Sequence, residues 1–188
     1  MIEKSLGTLV RQLREGRGLS LRGLAERSGF SAAFLSQVEN AQASPSISSM
    51  ERIASSLGVT MGEFFGAVEE RHQSVVRAAE RIGISSGWSQ AQIEALGGSQ
   101  TGRKLEAVVI ILQPGGTSGK QAHALSHEQI AVILEGELEL TLGDEVHKLS
   151  RGDAATIRAG VPRRWGNLSD KPAQVLIVSE VPFQNYGS

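Results

Sequence analysis

The spacing of hydrophobic residues divides the chain into a helical N-terminal part and a strand-rich C-terminal part. Up to about residue 65, apolar residues recur every three or four positions, as they do along one face of an α-helix. The first such stripe consists of Leu6, Leu9, Val10 and Leu13. From Leu105 onward the apolar period falls to two, which is typical of β-strands with one buried face. The pattern therefore predicts an α domain followed by a β domain.

Between Ser20 and Asn40 the sequence predicts two short helices around a glycine turn. Ser20 and Ser31 can each cap a helix by accepting a hydrogen bond from a first-turn backbone N–H. Gly29 can adopt the left-handed conformation that ends the first of these helices. Two short helices joined in this way form a helix-turn-helix, whose second helix enters the major groove of DNA.

The second helix has an apolar side and a polar side without charge. The apolar side consists of Phe34, Leu35 and Val38, and the opposite side of Ala32, Ala33, Ser36, Gln37 and Asn40. A solvated face usually holds Lys and Glu, whereas small residues, a hydroxyl and amides suit hydrogen bonding to base edges. Gln37 is the leading candidate, because its amide can both donate to and accept from adenine. The alternative is a short structural helix with a bland surface.

Further helices beside the helix-turn-helix would complete a small core. Ser46, which follows Pro45, can cap a helix whose apolar stripe runs from Ile47 to Leu57. A short fifth helix is expected over Thr60–Phe65. Five short helices of this kind form a plausible single core.

Residue types at many positions of this region match one known pattern. The positions are Arg14, Leu24, Ala25, Gly29, Ser36, Glu39, Pro45, Ser46, Ile53, Ala54, Leu57, Gly58 and Phe64. In this order they resemble the Xre/Cro-type helix-turn-helix family of transcription regulators, over roughly the first third of the chain. The resemblance implies that Ala32, Ala33 and Gln37 face bases and that residues near them contact phosphates. The candidate DNA-binding set is Ser20, Arg22, Ser31, Ala32, Ala33, Ser36, Gln37, Asn40, Gln42 and Ser44.

The chain departs from this family at two positions and follows it at a structural pair. Leu21 stands where the family has a polar residue, and Ala41 stands where glycine is frequent. In the family the acid equivalent to Glu39 pairs with the arginine equivalent to Arg14. We therefore expect these two residues to be structural rather than to read DNA.

The C-terminal part predicts a series of short strands. After an early strand within residues 75–84, strands are expected at residues 105–112, 129–134, 137–142, 145–149, 154–157, 163–167 and 173–181. Many short strands separated by turn clusters are typical of a double-stranded β-helix, or jelly-roll barrel. The fold class is therefore multi-domain α plus β. The expected domains are 1–66 (helix-turn-helix), 67–104 (linker and entry strand of the barrel) and 105–188 (barrel).

Two glycine-centred motifs in the barrel carry a second resemblance. The matching positions are Gly116, His123, residues 134–138, Gly152, Asp153, residues 160–162 and Asn167. They resemble the cupin domain family, in which two histidines and a glutamate of the first motif and a histidine of the second commonly hold a divalent metal. Only His123 stands at a ligand position, since Leu125, Gln129 and Arg163 occupy the other three. We therefore expect no metal and no cofactor, with a degenerate site of His123, His127 and Gln129 as the alternative.

Without a metal, the barrel is expected to bind a small-molecule effector. Arg163 and Trp165 alternate onto one face of their strand, and the resemblance implies that Arg163 points into the barrel. An inward arginine suits a carboxylate or another anion. The expected effector-binding residues are His123, Leu125, Gln129, Arg163 and Trp165. The alternative is that Arg163 pairs with a neighbouring Glu or Asp, or lies on the surface.

Composition limits the remaining possibilities. The 188 residues include no cysteine, which excludes disulfides and Cys-ligated zinc. Nothing at the N-terminus resembles a signal peptide, and no apolar run approaches the ~20 residues of a membrane span, so a cytoplasmic protein is expected. Residues 1–65 hold seven Lys or Arg and six Asp or Glu. Such a neutral module makes few phosphate ion pairs, which favours a homodimer that reads a palindromic operator with recognition helices about 34 Å apart.

Together these features predict a sequence-specific DNA-binding transcription regulator that is not an enzyme. Its expected partners are double-stranded DNA, a small-molecule effector and a second copy of the chain, and not a membrane. Ligand sensing in the cupin domain would change the spacing of the two reading helices. Two other functions stay open: a metal-dependent cupin enzyme, similar to the helix-turn-helix–cupin iron epoxidases, and a constitutive repressor without an effector.

Overall fold

An α domain precedes a β domain in the computed structural model, which describes residues 2–61, 64, 75–86, 89–97 and 105–180. The α domain is a group of short helices, and the β domain consists of two antiparallel sheets. The order of the two parts is the one that the change of hydrophobic period predicts.

Four α-helices lie among the described residues, where the sequence predicted five. They are α1 (Ile2–Gly16), α2 (Leu21–Ser28), α3 (Ala32–Glu39) and α4 (Ile47–Ser56). Of the predicted fifth helix, residues 62, 63 and 65 lie outside the described part. The N–H of Phe64 donates to the carbonyl of Thr60 at 2.8 Å, the spacing of one helical turn.

Serine caps and a glycine stop set the ends of α2 and α3. Oγ of Ser20 accepts from the N–H of Gly23 at 3.0 Å, and Oγ of Ser31 accepts from the N–H of Phe34 at 3.1 Å. Gly29 follows α2 with a φ of +68°, a left-handed conformation that favours glycine. Each cap satisfies a donor that the helix alone leaves unpaired.

The β domain contains nine strands among the described residues. They are β1 (Ile82–Ser86), β2 (Ala91–Ala95), β3 (Leu105–Leu112), β4 (Gln129–Glu135), β5 (Glu137–Leu142), β6 (Glu145–Ser150), β7 (Ala154–Ile157), β8 (Arg163–Gly166) and β9 (Ala173–Glu180). One sheet has six strands in the order β1-β2-β3-β9-β4-β7, and the other has three in the order β6-β5-β8. Side chains of both sheets, including Val175, Ile177, Leu140 and Trp165, belong to one apolar cluster.

Residues 67–104, where the sequence predicted a linker and one entry strand, contain two strands among their described residues. β1 pairs with β2, and β2 pairs antiparallel with β3. The hairpin therefore extends the six-stranded sheet. Residues 75–77, part of the predicted early strand, do not lie in a strand.

The two domains meet where the start of α4 contacts the long connection between β3 and β4, residues 113–128. The N–H of Ser48 donates to the carbonyl of Ser118 at 2.9 Å. Gly119 lies so close to α4 that an added Cβ would stand 3.0 Å from Cβ of Ser48 and overlap its Oγ. The connection is itself paired with β8, through a bridge between His123 and Arg163. The α domain thus contacts the connection that pairs with the strand carrying Arg163.

Among the described residues, no helix combines the length and the apolar character that crossing a membrane requires.

Candidate DNA interface and interdomain site

The polar side of α3 lies open at the surface. Gln37 and Ala33 are exposed, and Ala32 and Ser36 are half-buried. The opposite side packs through Leu35 and Val38, both of which are buried. The structure therefore presents an uncharged row of small and amide side chains on a capped helix, which suits readout of base edges.

The other predicted DNA-binding residues flank this row at helix ends and in the following loop. Ser20 and Ser31, the caps of α2 and α3, are exposed, as are Arg22 and Gln42, while Ser44 is half-buried. The loop after α3 is tied back to it, because the Gln37 carbonyl accepts from the N–H of Gln42 at 2.7 Å.

Asn40 is already engaged in bonds within the protein. Its Oδ1 accepts from Nη2 of Arg11 at 2.8 Å, and its Nδ2 donates to the carbonyl of Ser36 at 2.9 Å. A phosphate would therefore have to compete for this amide. Sequence reasoning did not single out Arg11, which also lies 3.2 Å from the Glu39 carboxylate.

Arg14 and Glu39 form the buried pair that the family resemblance implied. Nε of Arg14 donates to one carboxylate oxygen of Glu39 at 2.6 Å, and Nη2 donates to the other at 2.9 Å. The hydrogen bond to Glu39 is the main cause that raises the pKa of Arg14, which stays charged. The pair joins α1 to α3 and supports the position of the candidate reading helix.

A second buried cluster crosses the domain boundary. Glu51 of α4 accepts from Nη2 of Arg163 on β8 at 2.9 Å, and its other oxygen lies 2.8 Å from Nε2 of His123. Arg163 also donates through Nε to Oε1 of Gln129 at 2.6 Å, and Gln129 donates to Oγ of Ser179 at 2.8 Å. The side chains of Glu51 and Arg163 are only 7% and 3% exposed. The α domain thus places a carboxylate inside the β domain.

Arg163 and His123 together keep Glu51 ionised. Burial alone would raise the pKa of the Glu51 carboxyl, but the charge of Arg163 and the hydrogen bond to His123 outweigh it and lower the pKa to about 2. The junction therefore contains a carboxylate anion at neutral pH.

His123 cannot satisfy both of its neighbours at once. Its Nε2 lies 2.8 Å from Oε2 of Glu51 and 3.0 Å from Nη1 of Arg163. A protonated Nε2 donates to Glu51 and cannot accept from Arg163, whereas an unprotonated one does the reverse. Its Nδ1 is buried and has no hydrogen-bond partner among the described residues. One of the two contacts at Nε2 therefore stays without a hydrogen bond in either protonation state.

A cavity of about 150 Å³ lies beside Glu51, between the two domains. The α domain contributes residues 54, 55 and 58–61 to its wall, and the β domain contributes Leu125, His127 and Gln129. Burial lowers the pKa of His127, so that its imidazole is neutral at physiological pH. The cavity is thus bounded by the same two domains that the Glu51 cluster joins.

Comparison with known proteins identifies the family of each domain. A helix-turn-helix domain model matches residues 5–64, and a cupin domain model matches residues 108–179. The HTH-type transcriptional regulator PuuR of Escherichia coli is 28% identical over 165 residues, which cover 87% of this chain and 88% of PuuR. The HTH-type transcriptional regulator SinR of Bacillus subtilis is 31% identical over 90 residues, 43% of this chain and 81% of SinR. The chain belongs to the Xre/Cro-type helix-turn-helix transcription regulators with a C-terminal cupin domain.

A solved structure supports the same architecture for this regulator. The crystal structure of an HTH_3 family transcriptional regulator from Vibrio cholerae has a TM-score of 0.76, is 25% identical, and covers 96% of this chain and 97% of its own. The predictions of transcription regulation, DNA binding, a helix-turn-helix and a cupin domain are confirmed. The relatives are named as regulators, which supports a regulatory protein over an enzyme.

The cupin domain of this regulator does not fit the metal ion that many cupins hold. Within the part of the chain that the structure describes, no group of three His, Cys, Asp or Glu side chains could hold a metal. The alternative site of His123, His127 and Gln129 would place a cation against the guanidinium of Arg163, which contacts both His123 and Gln129. Leu125 has no donor atom for a metal. The residues at these positions therefore do not fit a divalent metal ion.

The five predicted effector-binding residues lie in three different places: at the cavity, at Glu51 and in the core. Leu125 and Gln129 line the cavity, and His123 and Arg163 contact Glu51 beside it. Trp165 is 1% exposed and lies in the core between the sheets, with its Nε1 buried and unpartnered among the described residues. Arg163 does pair with an acid, as the alternative interpretation held, but the acid comes from the other domain, 112 positions earlier.

Glu51 is the functional candidate that sequence reasoning missed. It follows Ile47 by four positions and precedes Ala54 by three, so it lies on the apolar stripe of α4. An acid on a packed helix face indicates a buried partner, and this position in the stripe is the signal that could have identified Glu51.

Proposed function

We propose that this regulator reads operator DNA with α3, through base contacts of Ala32, Ala33 and Gln37. The observation that carries the proposal is the face of α3, which is capped, uncharged and exposed. This helix lies within the region that matches a helix-turn-helix domain model. Ser20, Arg22, Ser31, Ser36, Asn40, Gln42 and Ser44 then contact the phosphates on either side.

We propose further that the regulator works as a homodimer in the cytoplasm, where it reads a palindromic operator. The near-neutral α domain gains little from phosphate ion pairs, so one copy binds weakly and two linked copies bind far more tightly. An apolar outer face on the six-stranded sheet supports this arrangement. Ile130 and Leu134 of β4 are 50% and 40% exposed, and they lie beside the half-buried Leu176 and Val178 of β9.

The cupin domain is proposed to close as a jelly-roll barrel and to bind a small anionic effector. Its buried Arg163 already holds a carboxylate, and a cavity adjoins that pair. A ligand that favours one arrangement of the two domains shifts the equilibrium by its difference in affinity for the two arrangements. Effector binding in the cupin domain would thereby control the reading helices.

Replacing Gln37 with alanine tests the reading helix. Operator fragments are first selected from genomic DNA by binding to the purified regulator, and then titrated in a mobility-shift assay. We expect Gln37→Ala to weaken operator binding about 10- to 100-fold and to relax preference at one base pair of each half-site, because one bidentate contact to adenine contributes about 1–3 kcal/mol.

Gln12→Ala is the matched control, because Gln12 is an exposed glutamine on α1. It should leave both affinity and preference unchanged. Unaltered sequence-specific binding by Gln37→Ala, with a fold that matches the wild type by circular dichroism, would overturn the assignment of α3.

A further inference from the structure

The cupin domain contains a carboxylate-binding site that is occupied by the chain's own Glu51. Nη2 of Arg163 donates to one oxygen of Glu51 at 2.9 Å, and His123 Nε2 lies 2.8 Å from the other. Both Arg163 and Glu51 are almost fully buried. The structure therefore shows which chemical group this site binds, namely a carboxylate, here that of Glu51.

The site has supports besides Glu51. Within the β domain, Nε of Arg163 donates to Gln129, and Gln129 donates to Ser179. The departure of Glu51 would leave the buried guanidinium without the carboxylate that neutralises it, which is strongly unfavourable. A carboxylate from another molecule would restore the balance of charge.

Glu51 uses only part of the space at the junction. Its carboxylate reaches Arg163 and His123, and a cavity lies beside it. A free ligand is not constrained by the backbone of α4, and it can also fill the adjoining cavity of about 150 Å³. A cavity of that size holds a molecule as large as benzene.

We propose that a small organic acid binds Arg163 and His123 in the place of the Glu51 carboxylate, extends into the cavity, and thereby releases α4 from the cupin domain. This inference rests on the proposed function, because release matters only if the α domain reads DNA. Ligand binding and domain docking exclude each other at Arg163, so each weakens the other by the same factor.

The backbone N–H of Ser48 reports whether α4 is docked. Ser48 is the second residue of α4, and a helix provides no internal acceptor for an N–H in its first turn. Its partner is the Ser118 carbonyl of the cupin domain, at 2.9 Å. Hydrogen exchange of this single amide therefore becomes faster when the domains separate, even though α4 stays folded.

The test uses the full chain and propionate as the probe. Propionate is titrated into the wild type and into Glu51→Ala, while NMR follows the Nε–H signal of Arg163 and hydrogen exchange of the Ser48 amide. We expect Glu51→Ala to bind propionate at least tenfold more tightly, because Glu51 occupies the site in nearly every wild-type molecule. In the wild type, Ser48 exchange should become faster as propionate binds, and without propionate it should be faster in Glu51→Ala.

Three controls separate this site from general effects of charge. Glu26→Ala removes an exposed acid of the same domain and should bind propionate as the wild type does. Glu51→Ala combined with Arg163→Met should lose the response. Sodium chloride and propylammonium chloride at equal ionic strength should give none. If Glu51→Ala does not fold, Glu51→Gln keeps the side-chain size and serves the same comparison.

The proposal is overturned by equal propionate affinity in the wild type and Glu51→Ala, by binding that survives loss of Arg163, or by Ser48 exchange that propionate leaves unchanged. Operator binding is measured separately on the same samples. If the regulator binds specific DNA but propionate and Glu51 do not compete at Arg163, only this inference is overturned. If they compete but no specific DNA is bound, the proposed DNA-binding function is overturned and the ligand site remains.

Discussion

At the scale of single residues, two buried arginine–glutamate pairs have different consequences. Arg14 and Glu39 join two helices of one domain, whereas Arg163 and Glu51 join two domains. Loss of one partner from a buried pair costs about 3–5 kcal/mol, because a charge is left uncompensated. The first pair therefore stabilises α3, the proposed reading helix, and the second stabilises one arrangement of the domains.

Ala41 is a strained position at which glycine should stabilise the regulator. Its φ of +55° lies in the left-handed region, where a Cβ costs about 1–2 kcal/mol. Glycine removes this strain but loses more backbone entropy on folding, so we expect Ala41→Gly to raise the free energy of unfolding by about 0.5–1 kcal/mol. Urea denaturation measures the change.

Ala25→Gly is the control for this prediction. Ala25 lies in the middle of α2 and is half-buried, and glycine in a helix interior costs about 1 kcal/mol relative to alanine. The two substitutions should therefore have opposite signs. A destabilising Ala41→Gly would contradict the strain at this position.

His127 should make stability depend on pH. Burial lowers its pKa below 6.5, with Arg163 acting in the same direction and Glu51 and Glu180 opposing it. Below the ordinary histidine pKa the unfolded chain binds the additional proton, so the free energy of unfolding rises as pH increases through that range. Glu51, whose pKa falls from 4.5 to about 2, contributes its full stabilisation throughout this range.

Urea denaturation at about pH 5.5 and about pH 7.5 measures this effect, since these values lie on either side of the ordinary histidine pKa. The wild type should be more stable at the higher pH, and His127→Gln should reduce the difference. His147→Gln controls for removal of an imidazole elsewhere in the cupin domain. An unchanged difference in His127→Gln would show that another group causes the pH dependence.

At the scale of elements, docking of α4 depends on the absence of a side chain at Gly119. A Cβ there would overlap Oγ of Ser48 and stand 3.0 Å from its Cβ, which cannot rotate away. We expect Gly119→Ala to displace α4 and to increase hydrogen exchange of the Ser48 amide at least tenfold. Gly166→Ala is the matched control, because an added Cβ at Gly166 has no neighbour within 4 Å. Equal exchange in the two variants would contradict the close approach.

The strands from β3 to β9 could be predicted to within one residue at either end. Residues 137–142 alternate between apolar and polar side chains, and Gly143 with a φ of +61° ends that strand. The helix caps could be predicted equally well, because Ser20, Gly29 and Ser31 act on their own backbone neighbours. Local interactions of this kind are encoded by adjacent residues and need no knowledge of the whole fold.

The β1–β2 hairpin and the Glu51 cluster were not predictable in the same way. Residues 91–95 alternate as Ala, Gln, Ile, Glu and Ala, so Ile93 is the only large apolar residue of this strand. Glu51 and Arg163 are far apart in sequence, and the sequence around one gives no sign that the other is its partner. A contact between domains depends on how two folded surfaces meet, which local patterns do not specify.

At the scale of the whole molecule, the outer face of the six-stranded sheet decides the expected assembly. We expect Ile130→Lys to convert a dimer into a monomer, because it places a charge in the middle of the proposed apolar interface. Val146 of β6 is 58% exposed on the other sheet, so Val146→Lys is the control and should leave the assembly unchanged. Light scattering during size-exclusion chromatography measures the mass.

Operator affinity should depend on whether the regulator is a dimer or a monomer. Monomeric Ile130→Lys should bind a full palindrome no better than a half-site, since the gain from linking two reading helices is lost. A wild type that is monomeric at micromolar concentration would contradict the dimer.

The order of Glu51 and Arg163 along the chain also has a consequence during biosynthesis. Ribosomes add about 5–20 residues per second, and domains fold N-terminal first. The two residues are 112 positions apart. Synthesis of the α domain is therefore finished on the order of ten seconds before the ribosome adds Arg163, which pairs with Glu51. A nascent chain therefore carries a complete helix-turn-helix domain, including the proposed reading helix, before synthesis of β8 supplies the arginine that pairs with Glu51.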